Sequence, residues 1–261
     1  SEIRKGDKVV ASVDSQRRHA RSCNHSATHL MHKALKQVIG DSISQKGSNV
    51  EAKYFTFDFN FNRAMTAEEI QETEDLVNLW IGKKSSVNTN LMPIEKARET
   101  GAEALFGEKY DDEVRVVVMG ESVELCGGTH VSNTSEIERF TIISEKSVAS
   151  GIRRIEAASS LGAKEYLLEQ EEKLKNLIAD LKEKINQNNS EISDLKGILF
   201  VVVDIAENDP AILEEILKSK NKEIEQLKKQ QLLSNLDNIK VERIGDVNLV
   251  YDSFDDVDAK E

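Results

Sequence analysis

Two histidines one helical turn apart, in His25-Ser26-Ala27-Thr28-His29, have the types and spacing that could hold a metal ion. Positions i and i+4 of a helix lie on one face, so both imidazoles can reach a single ion. The pattern is not HExxH: Ser26 stands where a metallopeptidase carries its glutamate base. His32 follows on nearly the same face. Three helical histidines are also what a partly exposed or RNA-facing helix presents, so the helix alone does not decide. A second element does. Cys126-Gly127-Gly128-Thr129-His130 places a thiol and an imidazole around a Gly-Gly bend. Glycines let the backbone fold tightly enough for both side chains to aim at one atom. Taken singly, Cys126 reads as a core thiol and His130 as a strand-edge histidine. Together with the helical pair they form a set of three imidazoles and one thiolate, tetrahedral and suited to one zinc ion per chain.

The elements that must position these residues can be read from periodicity. Asp14 or Ser15 caps a helix ending at Gly40, with Ala20, Cys23, Ala27, Leu30, Met31, Ala34 and Val38 as its core-facing stripe. Segments 42–50 and 53–60 read as strands, and Phe55, Phe57, Phe59 and Phe61 alternate with polar residues at period 2. Thr66 with Glu69 is a capping-box pattern for a helix to about Gly82. Strands are expected at 87–94, 114–120, 137–144 and 152–158, with a short helix at 95–101. GDKVVASVD (6–14) alternates and is expected to be a strand, the last of a small barrel. The sum is an α+β domain with helices laid on an antiparallel or mixed sheet. From Lys164 onward Leu167, Leu174, Ile178, Leu181, Ile185, Ile192 and Leu195 follow 3–4 spacing, as in an antiparallel helical pair or coiled coil. ILFVVVDI (198–205) is a β-type run, and Asp209-Pro210 restarts a helix to about Leu236. Three parts result: a domain over 1–160, a helical linker or oligomerisation region over 161–240, and the start of a further globular unit over 241–261.

Composition narrows the class. With 261 residues, 39% apolar and 31% charged, the chain suffices for one large domain or two ordinary ones. Aromatics at 5% argue against an all-β sandwich, and two prolines favour long helices. No stretch of 18 apolar residues and no leader pattern occur, so a cytoplasmic protein without a membrane partner is expected. Two cysteines cannot make a disulfide framework, and free thiols are expected. The net charge of −12 hides an asymmetry: the first 36 residues hold eight basic and three acidic groups. A basic entrance on an acidic body can still dock a phosphate backbone, because the local field governs the encounter.

The ordered set HSATHLMHKAL, QKGS (45–48), CGGTHV and SGIRRIEA (150–157) resembles the editing domain of alanyl-tRNA synthetases. Free-standing alanyl-tRNA editing proteins and the editing domain of threonyl-tRNA synthetase are similar. The resemblance covers roughly residues 1–160, and the rest resembles the helical linker of the same synthetases, less well at 198–209. It implies an internal fragment without the domain that activates alanine with ATP. The implied reaction is hydrolysis of the ester joining serine or glycine to tRNA(Ala). By that resemblance His25, His29, Cys126 and His130 bind zinc, and Thr28 and Gln45 face the amino acid and its ester. On their own, Thr28 reads as an exposed helix threonine and Gln45 as a solvated loop residue. A threonine hydroxyl can recognise the serine hydroxyl that alanine lacks.

Four protein ligands would close a zinc ion, whereas catalytic zinc keeps a place for water. Either one ligand, His25 or His130, yields to water, or the metal only shapes the pocket around a positioned water. An aminoacyl ester is activated already, and the second arrangement is the preferred reading. Arg17, Arg18, Arg153 and Arg154 are candidates for the tRNA 3′ end. Arg153 and Arg154 point to opposite faces of a strand, so one is expected at the site and the other in an ion pair with Glu156. The contrasting functional readings are a zinc-stabilised tRNA-binding or dimerisation module without chemistry and a free-standing alanyl-tRNA editing protein. The helical region would carry a homo-oligomer, or stay a monomeric antiparallel hairpin.

Overall fold

The computed structural model describes residues 4–103, 110–200, 202, 204–236, 240–244 and 247–251. The chain divides into two compact units, Ser1–Glu169 and Gln170–Glu261.

In the first unit a long helix, α1 (Ser15–Ile39), begins where the Asp14 carboxylate accepts from the Arg17 amide and ends at Gly40, φ 128°. Two strands follow, β1 (Gln45–Val50) and β2 (Phe55–Asn60). Helix α2 (Ala67–Gly82) opens with the capping box expected from Thr66 and Glu69. Strand β3 (Val87–Pro93) leads into a short helix α3 (Ile94–Glu99), then the hairpin β4 (Glu113–Met119) and β5 (Ser122–Leu125). After a 3-10 turn at Thr134–Ile137, strands β6 (Phe140–Ala149) and β7 (Ile152–Ser159) complete the unit. The named strands pair antiparallel, in a four-stranded sheet of order β1-β2-β7-β6 and a three-stranded sheet β3-β4-β5. The expected α+β class is therefore observed.

Period 2 in β2 sends Phe55, Phe57 and Phe59 to one side, where all three are fully buried. They meet the stripe of α1, with Ala27, Leu30, Met31, Ala34 and Leu35 at zero exposure, in one core shared with α2. Each buried phenylalanine contributes about 2–3 kcal/mol. That core fixes how α1 is rotated, and rotation decides which side chains its opposite edge presents to the β4–β5 hairpin.

Three expectations are corrected. Residues 6–14 form no strand: Val9, Val10 and Val13 are exposed, and no neighbouring strand pairs with them among the described residues. Alternation alone does not make a strand without a partner ladder. The run at 198–205 is likewise not a strand in its described residues. It is an irregular connection in which Ile198, Leu199 and Val202 face solvent; Val201 and Val203 lie outside the described residues.

The third correction concerns the helical pair. Helix α4 (Ser160–Lys196) carries the chain into the second unit, where it packs with α5 (Pro210–Leu236). Lys182 bonds Asn208, Asn188 bonds Asn221, Lys228 pairs with Glu191, and Gln231 donates to the Leu195 carbonyl. Partner numbers rise together, so the helices run parallel rather than antiparallel. Ile205 explains the route: it packs with Leu181, Ile185 and Leu213, so the connection runs back along α4 before α5 begins. A two-stranded hairpin, β8 (Lys240–Ile244) with β9 (Val247–Tyr251), follows.

Candidate metal centre

The stripe of α1 that packs on β2 leaves His25 and His29 on the flank facing the segment after β5. There Cys126 ends the hairpin's backbone pairing, its amide donating to the Arg115 carbonyl of β4. The Arg115 guanidinium returns two bonds through one nitrogen, to the carbonyls of Cys126 and Gly128, both 2.7 Å. These charge-assisted bonds clamp the Gly-Gly bend. The bend also needs Gly128 as glycine, since a Cβ there would lie 2.1 Å from Cε1 of His25.

The four expected ligands converge. One donor atom from each of His25, His29, Cys126 and His130 lies within 4.8 Å of the others. The Cys126 sulfur is 3.6 Å from Nε2 of His25 and 3.3 Å from Nε2 of His130. A tetrahedral zinc with ordinary bond lengths sets such sulfur–nitrogen separations at about 3.5 Å. The rings pack edge-on or stacked, with centroids 4.2–5.0 Å apart.

Outside the cluster, the other nitrogen of each ring faces a neighbour. Nδ1 of His25 is 3.2 Å from the Thr129 carbonyl, and Nδ1 of His130 is 3.1 Å from the Ser26 hydroxyl. Nδ1 of His29 lies 3.3 Å from the Glu124 carboxylate. A carbonyl can only accept, so Nδ1 of His25 carries the proton and its Nε2 lone pair faces inward. Ser26 also accepts from the Val131 amide, tying α1 to the bend. It occupies the place of the HExxH glutamate, but it meets the His130 ring and the Val131 amide.

Burial holds all three histidines below the ordinary imidazole range, His130 to about 3, and at His29 repulsion from the neighbouring histidines adds to it. Neutral imidazoles are what metal coordination requires. Burial, reinforced by Glu136, instead pushes the Cys23 thiol up to about 11. Cys23 faces His19 and the Glu136 carbonyl, away from the cluster. The donor chemistry, separations and outward partners thus fit a bound metal ion.

The other expected site residues are placed differently. Thr28 is buried, not exposed, and its hydroxyl donates to the Asn24 carbonyl at 2.8 Å. Gln45 is half-buried at the start of β1 and donates to Ser48. Arg17 and Arg18 are exposed on the first turn of α1. Arg154 grips Asp58 with two bonds, 2.6 and 2.8 Å, and Arg153 grips Glu145. Both arginines are held by carboxylates of adjacent strands, and the bonded partner is Asp58 rather than the expected Glu156. Arg115 and Glu124 were missed because their partners are backbone carbonyls and a residue far along the chain, which no local spacing reveals.

Residues 114–156 match the family described as threonyl and alanyl tRNA synthetase second additional domain, a span that includes Arg115, Glu124 and the Cys126–His130 bend. The chain is 40% identical over 261 residues to the alanine--tRNA ligase of Nostoc punctiforme, covering 99% of this chain and 28% of that protein. The alanine--tRNA ligase of another Nostoc strain agrees to the same extent. The chain belongs to the alanine--tRNA ligase family. The ligase of Neisseria meningitidis is 52% identical over 181 residues, 69% of this chain and 21% of that protein. The chain therefore spans less than a third of the length of the curated ligases it matches. No helix among the described residues is long and apolar enough to cross a membrane.

Proposed function

We propose that the first unit hydrolyses the ester of tRNA(Ala) wrongly charged with serine or glycine, and that its centre binds zinc. The observation carrying this reading is the convergence of His25, His29, Cys126 and His130, with the outward nitrogen of each ring facing a polar neighbour. Zinc held there supplies fixed positive charge that orients an aminoacyl group. The residues of the chain do the rest. Thr28 has committed its proton to the Asn24 carbonyl, so its oxygen has lone pairs to offer and no donor. A serine hydroxyl can donate to it; the methyl of alanine cannot. A site built around such a bond rejects the analogue lacking the hydroxyl by orders of magnitude. Gln45 is the second group assigned to the ester, and Arg17 and Arg18, exposed on the first turn of the site helix, are assigned to phosphates of the tRNA end. Arg153 and Arg154 are committed to Glu145 and Asp58, which makes them framework.

Four protein ligands also suit a structural zinc, so the second reading is a zinc-stabilised tRNA-binding module. The deciding experiment compares hydrolysis of seryl-tRNA(Ala) and alanyl-tRNA(Ala) by the 261-residue chain and by Cys126→Ala. Selective cleavage of the seryl ester, at least tenfold faster and lost in the variant, is expected. One zinc bound per chain with neither ester cleaved would leave the structural reading.

A further inference from the structure

The four-ligand set does not account for His32, the third histidine of the α1 face. It is 5% exposed, and neither ring nitrogen makes a well-formed hydrogen bond among the described residues. What surrounds it is a chain of charged groups. Nδ1 of His32 is 3.4 Å from one oxygen of Glu124, whose other oxygen is the one 3.3 Å from Nδ1 of His29. The Ser122 hydroxyl donates to the same Glu124 oxygen that faces His32, at 3.2 Å. On the far side, Nε2 of His32 is 3.7 Å from Glu103, which Lys36 neutralises at 2.6 Å. Glu124 is itself only 7% exposed.

We propose that Glu124 is the positioning residue of the metal centre, holding His29 in its ligating tautomer while His32 and Ser122 hold Glu124. The inference rests on the metal-binding reading above and adds a specific determinant of affinity to it. With Glu124 as the acceptor at Nδ1, the proton of His29 sits on Nδ1 and the lone pair on Nε2, the nitrogen left for the ion. Nδ1 of His29 is buried and makes no well-formed hydrogen bond, and the carboxylate oxygen it faces, at 3.3 Å, is that of Glu124. One carboxylate oxygen accepts from the Ser122 hydroxyl of β5 and faces His32, and the other faces His29, both imidazoles on α1. The carboxylate can therefore neither rotate nor retract without abandoning a buried imidazole. Such a partner raises ligand basicity and fixes ring orientation, and its removal costs metal affinity without removing a ligand. A glutamine at position 124 can accept on one arm only, so at most one of the two imidazoles keeps an acceptor there.

The test uses the 261-residue chain, with Zn2+ affinity read by competition against a chromophoric chelator. Glu124→Gln is expected to bind zinc about 10–100-fold more weakly, and His32→Asn to weaken it in the same direction by less. The Co2+-loaded wild type and Glu124→Gln should differ in the ligand-field bands of the ion, which a loss of general stability would not move. In Zn2+-loaded wild type, imidazole 15N shifts should report His29 protonated at Nδ1; this measurement decides even if the variant fails to fold. Affinity of Glu124→Gln within twofold of wild type with an unchanged cobalt spectrum overturns the proposal, as does a His29 protonated at Nε2. Absence of zinc binding by the wild type removes the metal-binding reading as well, which separates the two failures.

Discussion

Gly128 stands against the ring of His25 with no space for a side chain, whereas Gly127 beside it faces open space. The two glycines of the bend are thus unequal. Gly128→Ala forces a methyl into the position 2.1 Å from Cε1 of His25. Either the ring leaves the cluster or the bend opens. Loss of zinc binding by at least tenfold is expected, with destabilisation of about 1–3 kcal/mol. Gly127→Ala should bind zinc as the wild type does. Chelator competition and urea unfolding of both variants check this.

Arg115 is the clamp on the same bend. Arg115→Ala removes two bonds from a charged donor, each of which contributes about 1.5–3 kcal/mol, and leaves the Cys126 and Gly128 carbonyls without it. Zinc affinity is expected to fall together with stability. Arg115→Lys should not restore either, because a single ammonium on a flexible stem does not reproduce a guanidinium that also reaches Thr89. The measurement is a denaturant midpoint with and without zinc.

Asn24 is fully buried and satisfies four groups. Its amide donates to the carbonyls of Glu51 and Ala52, and its oxygen accepts from the amide and hydroxyl of Ser159. Asn24→Ala leaves all of these without their partner, at about 1–3 kcal/mol for each unsatisfied buried group. Destabilisation of about 3 kcal/mol or more is expected. Asn24→Asp should fare poorly too, since it keeps the acceptor for Ser159 but sets an oxygen against two carbonyls. Calorimetric unfolding of the two variants checks the order.

The start of α2 supplies a pH dependence. Glu69 bonds Arg63 through both oxygens and accepts from the Thr66 amide, and these contacts pull its carboxyl down to about 2. A carboxyl whose folded value lies below its unfolded one of 4.5 stabilises the fold above that value. The contribution is lost as pH falls through 4.5 toward about 2. Glu69→Gln keeps capping ability but not charge. The gap in urea midpoint between wild type and this variant should be full at neutral pH and shrink steadily as the solution is acidified.

The convergence of His25, His29, Cys126 and His130 was legible because glycines and histidines at i and i+4 are local patterns with a local meaning. The sheet was legible for the same reason: Phe55, Phe57 and Phe59 announce their face. What stayed hidden is whatever needs a distant partner. Glu124 and Arg115 look like ordinary strand charges until the hairpin is placed against α1. The valines at 9, 10 and 13 alternate as a strand would, but alternation says nothing about whether a partner ladder exists. For α4 and α5, leucine spacing reveals a face and not a direction. Direction follows from the connection between them, in which Ile205 packs with Leu181, Ile185 and Leu213.

That parallel arrangement turns the connection into a tether with a required reach. From Lys196 back to Lys182, beside Asn208, the helix covers about 20 Å at 1.5 Å per residue. The residues from 197 to 208 can extend to about 40 Å, so half of the tether is slack. Its length is therefore constrained in one direction only. Insertions cost little, since closure entropy grows slowly with length, while deletions are absorbed until the slack is gone, after which α5 must shift along α4 or reverse.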